Sequence, residues 1–132
     1  MMPVFADTFY FIALLSSDEK AHARAVEYSG LVDRIVTTEW ILIELADGLC
    51  NSANRDRYRV IRTGLFANPL AEVIPLDMNL HERAIALYVQ MADKDWSLTD
   101  CVSFLVMRDR GLTEALTADR HFEQAGFVSL LK

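Results

Sequence analysis

The chain has 132 residues, 52% of them hydrophobic and 24% charged, and its 13 Lys and Arg against 19 Asp and Glu leave a formal net charge of −6. This length suits one domain and leaves no room for a second full core, while five glycines and three prolines exclude a collagenous or linker-like chain. The negative balance excludes coating nucleic acid by bulk charge, but not an enzyme that holds a phosphodiester through a metal ion.

The uncharged run from Thr8 to Ser17 is closed by Asp7 and Asp18, well short of the ~20 residues that span a bilayer. The opening MMPVFAD has no basic region and soon meets Asp7, unlike a secretory signal, so a cytoplasmic location is expected. Cys50 and Cys101 belong to no CxxC or Cys/His cluster. Neither a zinc site nor a disulfide framework is indicated, and both read as small buried apolar residues.

In chain order, Pro3 to Ala6 reads as a short buried strand, followed at Asp7 by the helical segment TFYFIALL and by a second helix from Glu19 to about Tyr28, stopped by Gly30. Arg34 to Thr37 is a second strand leading into the apolar helix WILIELADGL, which ends around Gly48 to Cys50. Ala53 to Phe66 forms a basic amphipathic helix, AEVIPL at 71–76 a third strand, and Asn79 to Ala92 a helix with Leu80, Ala84, Leu87, Tyr88 and Met91 on one side. Ser97 opens the helix LTDCVSFLVMRDR and Gly111 closes it; Ala115 to Thr117 is a fourth strand, Asp119 to Gln124 a helical turn, and Phe127 to Leu131 a last strand. Strands separated by helices predict an α/β fold with a mainly parallel sheet covered on both faces, in which sites lie at the carboxyl ends of the strands.

Four acids fall at such ends: Asp7 after the first strand, Glu44 in the apolar helix after the second, Asp100 in the first turn of its helix, and Asp119 after the fourth strand. Three have a plain alternative, since Asp7 and Asp119 suit helix caps and Ser97 with Asp100 resembles a capping box. Glu44 resists it. Its neighbours one turn back are Trp40 and Ile41, and no Lys or Arg stands within a turn to neutralise it. A carboxylate on an apolar face is costly without a partner, and a hard divalent cation such as Mg²⁺ would serve all four acids at once.

In FADTFYFIAL, TTEWILIELADGL, DWSLTDCVSFLVMRDRG and LTADRHFEQAGF the chain resembles PIN domains, specifically the short bacterial VapC-like toxins of type II toxin–antitoxin systems. The resemblance covers nearly the whole chain, 1–132, as a single domain. It implies a three-layer α/β/α sandwich on a sheet of four to five strands, and an acidic cluster that binds Mg²⁺ or Mn²⁺ and cleaves RNA. Carried over by position, the catalytic and metal-binding acids are Asp7, Glu44, Asp100 and Asp119; Thr117, or Thr8 beside Asp7, supplies a supporting hydroxyl, and Asp95 is an additional acid. The bulky CVSFLVM departs from the alanine-rich helix common after the third aspartate. The toxin reading further implies a cognate antitoxin and a homodimer.

Arg55, Arg59 and Arg62 recur on one helix face and could track RNA phosphates, or form a solvated face paired with Asp56 or a partner protein. The three successive aromatics Phe9, Tyr10 and Phe11 point in too many directions for one core face, which places some of them at a subunit interface. Trp96 suits either base stacking or core packing. His22, His81 and His121 are scattered, which gives a histidine-based mechanism little support. Two other enzyme classes fit poorly. A haloacid-dehalogenase-like site needs Asp-x-Asp where Asp7 is followed by Thr8 and Phe9, and a receiver needs a strand-end lysine where the only late one is Lys132. A PIN-like protein-interaction module without catalysis is the non-enzymatic alternative.

Overall fold

Consecutive residues of a strand point to opposite faces of its sheet, so the burial of all three residues of β1 (Val4–Ala6) means that both faces are covered. In a computed structural model, which describes residues 2–132, β1 is the middle strand of a five-stranded sheet of order β3-β2-β1-β4-β5, with every pairing parallel. The other strands are β2 (Ile35–Thr38), β3 (Ala71–Ile74), β4 (Glu114–Leu116) and β5 (Val128–Ser129). The connections are α1 (Thr8–Leu15) and α2 (Glu19–Leu31), α3 (Glu39–Gly48) and α4 (Arg55–Ala67), α5 (Met78–Gln90) and α6 (Leu98–Arg110), and the short α7 (Arg120–Gln124). This is the expected α/β layering with a wholly parallel sheet, and among the described residues no helix is long and apolar enough to cross a membrane.

The register explains where a site can form. Phe5 pairs with Val36 on one side and with Ala115 on the other. From β1 the sheet is built outward to β2 and β3, and the chain then returns to place β4 on the opposite side of β1. The reversal leaves a crevice at the carboxyl ends of β1 and β4, the usual ligand position of open parallel sheets.

The core fills from both faces. Phe104 of α6 sets its ring edge-on to Trp96 at 4.9 Å and to Phe122 at 5.0 Å between centroids, so the bulk of CVSFLVM is absorbed as packing. Trp96 is buried and donates its Nε1–H to Gln124 Oε1 at 3.0 Å, a core role rather than a stacking platform. Tyr10 and Phe11 are likewise buried, 5.3 Å apart edge to face.

Several boundaries differ from the sequence reading. Helix α2 runs through Gly30 to Leu31, because a glycine stops a helix by turning left-handed and Gly30 does not; positive φ occurs only at Gly111 and Gly126 among the described residues. Strand β3 ends at Ile74, before Pro75, which has no N–H for the ladder, and β5 shortens to Val128–Ser129. Cys101 is buried as expected, but Cys50 is exposed, since it lies in the turn between α3 and α4 rather than on a packed face.

Candidate active site

At the sheet's carboxyl edge lies a cavity of about 370 Å³ lined by Asp7, Glu44, Asp95, Asp100, Asp119 and His121, together with Thr8, Phe9 and Ser97. Five carboxylates share one opening, and among the described residues no Lys or Arg lines it.

Each side chain is placed by its element. Asp7 follows β1 at the start of α1, yet its carboxylate makes no capping bond there; its Oδ2 accepts instead from the buried Thr117 hydroxyl at 2.8 Å. Thr117 Oγ1 in turn accepts the Asp119 N–H at 3.0 Å, so one hydroxyl ties the ends of β1 and β4 together. Glu44, in the second turn of α3, accepts from Thr8 Oγ1 at 2.5 Å. Asp100 completes a capping box with Ser97, its Oδ2 accepting the Ser97 N–H at 3.1 Å. Asp119 caps α7 by accepting the His121 N–H at 2.9 Å. For Asp100 and Asp119 capping and cavity lining therefore coexist; for Asp7 the capping alternative fails.

His121, set aside in the sequence as one of three scattered histidines, joins these acids. Its Nδ1 lies 3.1 Å from Asp100 Oδ2 and 3.4 Å from Asp119 Oδ1, and one ligand atom from each of Asp100, Asp119 and His121 falls within 4.8 Å of the others. The available signal was its place two residues after a strand-end aspartate. Asp7 and Glu44 line the same cavity, but hydroxyls hold oxygens of theirs.

The electrostatics follow from crowding acids in a poorly solvated place. Burial pushes Asp7 up to about 7 against the opposing Thr117 hydrogen bond, with the charges of Asp100 and Glu44 adding to the rise. Burial also raises Glu44, against the Thr8 hydrogen bond and with Asp100 and Asp119 nearby. Asp100 is raised by burial and by Asp119, while the Ser97 N–H and His121 pull the other way. A cavity in which Asp7, Glu44 and Asp100 resist ionisation, and which offers carboxylate oxygens with one imidazole, fits a hard divalent cation.

The arginines Arg55, Arg59 and Arg62 do not line this cavity. Arg62 makes a two-point pair with Glu39 at 2.5 and 2.8 Å, Arg59 pairs with Asp56 at 2.8 Å, and Arg55 donates Nε–H to the Cys50 carbonyl at 2.8 Å.

Residues 4–128 match the PIN domain. Over 127 residues the chain is 26% identical to the 23S rRNA-specific endonuclease VapC20 of Mycobacterium tuberculosis, covering 96% of this chain and 97% of that protein. The crystal structure of M. tuberculosis VapC20, described as a sarcin–ricin loop cleaving toxin, superposes with a TM-score of 0.82 at 25% identity, covering 95% of this chain and 96% of the other. The fold is also that of a toxin–antitoxin complex chain from Klebsiella pneumoniae, with a TM-score of 0.65 at 19% identity over 96% of this chain and 97% of that one.

Proposed function

The chain belongs to the PIN-domain family, and we propose that it is a Mg²⁺- or Mn²⁺-dependent endoribonuclease, the toxin of a toxin–antitoxin pair acting in the cytoplasm. The observation that carries the reading is the cavity itself, at the carboxyl edge of the sheet, whose described lining offers five carboxylates and one imidazole and includes no Lys or Arg. RNA as substrate is supported by the likeness to an rRNA-specific endonuclease along almost the full length of both chains, and the toxin role by the likeness to VapC20. A cognate antitoxin and a homodimer belong to the same proposal.

Asp7, Glu44, Asp100 and Asp119 are the proposed catalytic acids, with His121 bridging Asp100 and Asp119. When bound, a divalent ion supplies electrophilic stabilisation of the charge that develops on the phosphate and lowers the pKa of the attacking water. The protein's part is to hold the acids close enough to attract that cation, and to fix them so that little reorganisation accompanies reaction. Thr117 fixes Asp7 against the end of β4 and Thr8 fixes Glu44 against α1. Asp95, exposed at the rim, adds negative potential without a fixed partner among the described residues.

The test is cleavage of a panel of transfer RNAs and ribosomal RNA fragments, the sarcin–ricin loop included, by purified chain with Mg²⁺ or Mn²⁺, with EDTA, and as Asp100→Asn. Asparagine keeps an oxygen to accept the Ser97 N–H, so the cap survives while the charge is lost. Metal-dependent cleavage that drops at least ~100-fold in the variant is expected. Undiminished cleavage in EDTA or by the variant overturns the reading.

A further inference from the structure

Phe9 forms a wall of two openings. One is the acidic cavity; the other is a cleft of about 330 Å³ lined by Phe9 and Ala118 on its apolar side and by Lys20, Arg24 and Lys132 on its polar side. Among the described residues Asp18 is the one acid of this lining, and its carboxylate already accepts the Ala21 N–H at 3.0 Å as the cap of α2. Ala118 immediately precedes Asp119, so the two openings adjoin at the end of β4. Lys132 pairs its ammonium with Glu123 at 3.0 Å, which leaves Lys20 and Arg24 as the cations gathered beside a five-carboxylate cavity in a chain of net charge −6.

We propose that this cleft holds the single-stranded RNA segment next to the scissile phosphate, with Lys20 and Arg24 pairing its phosphates and Phe9 lying under a base. The inference rests on the endoribonuclease reading of the acidic cavity. A strand leaving that cavity meets like charge unless cations receive its next phosphates. Lys20 and Arg24 stand one turn apart on one face of α2, and a half-buried aromatic beside them is a stacking platform that tolerates any base. Arg24 donates from Nη1 to the Lys132 carbonyl, which orients its planar fork and leaves further donors. The arginines of α4 are less suited. Arg62 and Arg59 already face carboxylates, and none of the three lines either opening.

The experiment measures binding of a short, labelled single-stranded oligoribonucleotide by fluorescence anisotropy over a salt series, in the Asp100→Asn background with Mg²⁺ so that cleavage does not interfere. Adding Lys20→Ala and Arg24→Ala together is expected to weaken binding at least ~tenfold and to lower the slope of log Kd against log salt by about 1.4, the value for two single-strand phosphates. Lys20→Glu alone, at an exposed position that disturbs no packing, is expected to weaken binding as well and guards against a folding artefact. Arg59→Ala is expected to change nothing. If the Lys20 and Arg24 variants bind as the background does, or if Arg59→Ala carries the loss, the cleft is not the RNA track. The parent chain's cleavage of the RNA panel is scored separately: binding through Lys20 and Arg24 without any cleavage retains the cleft and removes the nuclease, whereas cleavage with binding insensitive to both cations removes the cleft alone.

Discussion

At the scale of single residues, the protonation of the buried acid Asp7 is tied to folding. Asp7, at about 7 in the folded chain against 3.8 when solvated, binds its proton more tightly folded than unfolded, so without metal its contribution to stability falls as pH rises from about 4 through 7. Asp7→Asn is therefore expected to be more stable than the parent at pH 8 in EDTA, with the gap closing toward pH 4, measured as melting temperature across pH. A gap that stays constant or reverses would mean that Asp7 ionises freely. Thr117 acts on the same carboxylate. Thr117→Val removes the hydroxyl that Asp7 accepts from and that the Asp119 N–H donates to, and is expected to cost about 1–3 kcal/mol in urea unfolding at unchanged m. Thr117→Ser keeps the hydroxyl and should recover most of the loss. Asp7 and Asp119 were legible in the sequence because each follows a strand, Glu44 because it interrupts an apolar helix face, and Asp100 because it stands in the first turn of a helix within a motif shared with PIN domains. Which oxygen each threonine holds was not, since Thr8 and Glu44 lie 36 residues apart and Thr117 and Asp7 lie 110 apart, and only strand order joins them.

At the scale of elements, the site depends on where helices begin and end. Helix α6 starts on the Ser97–Asp100 capping box and stops at Gly111, whose φ of +66° is left-handed. A Cβ at Gly111 would meet nothing within 4 Å, so Gly111→Ala carries only the backbone penalty, about 1 kcal/mol. A lower unfolding midpoint with RNA cleavage unchanged is expected; a loss of cleavage would mean that the end of α6 reaches the site. The same helix shows why much of the fold was legible. A serine three residues before an acid and a glycine after the basic last turn are local signals, and they set both ends correctly. Gly30 misled because the same residue type, without the left-handed turn, is merely a weak helix residue. His121 was set aside for a related reason: at the start of a short helix behind a capping aspartate it reads as an end residue, and it meets Asp100 only when α6 and α7 are brought side by side.

At the scale of the whole molecule, charge is sorted rather than spread. The acids of four separate sequence blocks meet in one cavity, and the stability lost by holding them there unneutralised is recovered by whatever cation binds the folded state alone. Unfolded chain scatters the same residues and offers no comparable site, so the proposed metal binding would be linked to folding. At a free Mg²⁺ or Mn²⁺ concentration about a hundredfold above Kd, the linkage amounts to about 2.7 kcal/mol, which for a domain of this length raises the melting temperature by about 10 °C. EDTA should reverse the rise, and Asp100→Asn or Asp119→Asn should shrink it, since each removes one of the converging ligands. The rise should also be larger at pH 8 than at pH 5, because at lower pH protons already neutralise the buried acid that the cation would otherwise relieve. A melting temperature indifferent to both ions across that range would show that the carboxylates are accommodated by protonation alone, and the proposed chemistry would then lack its cation.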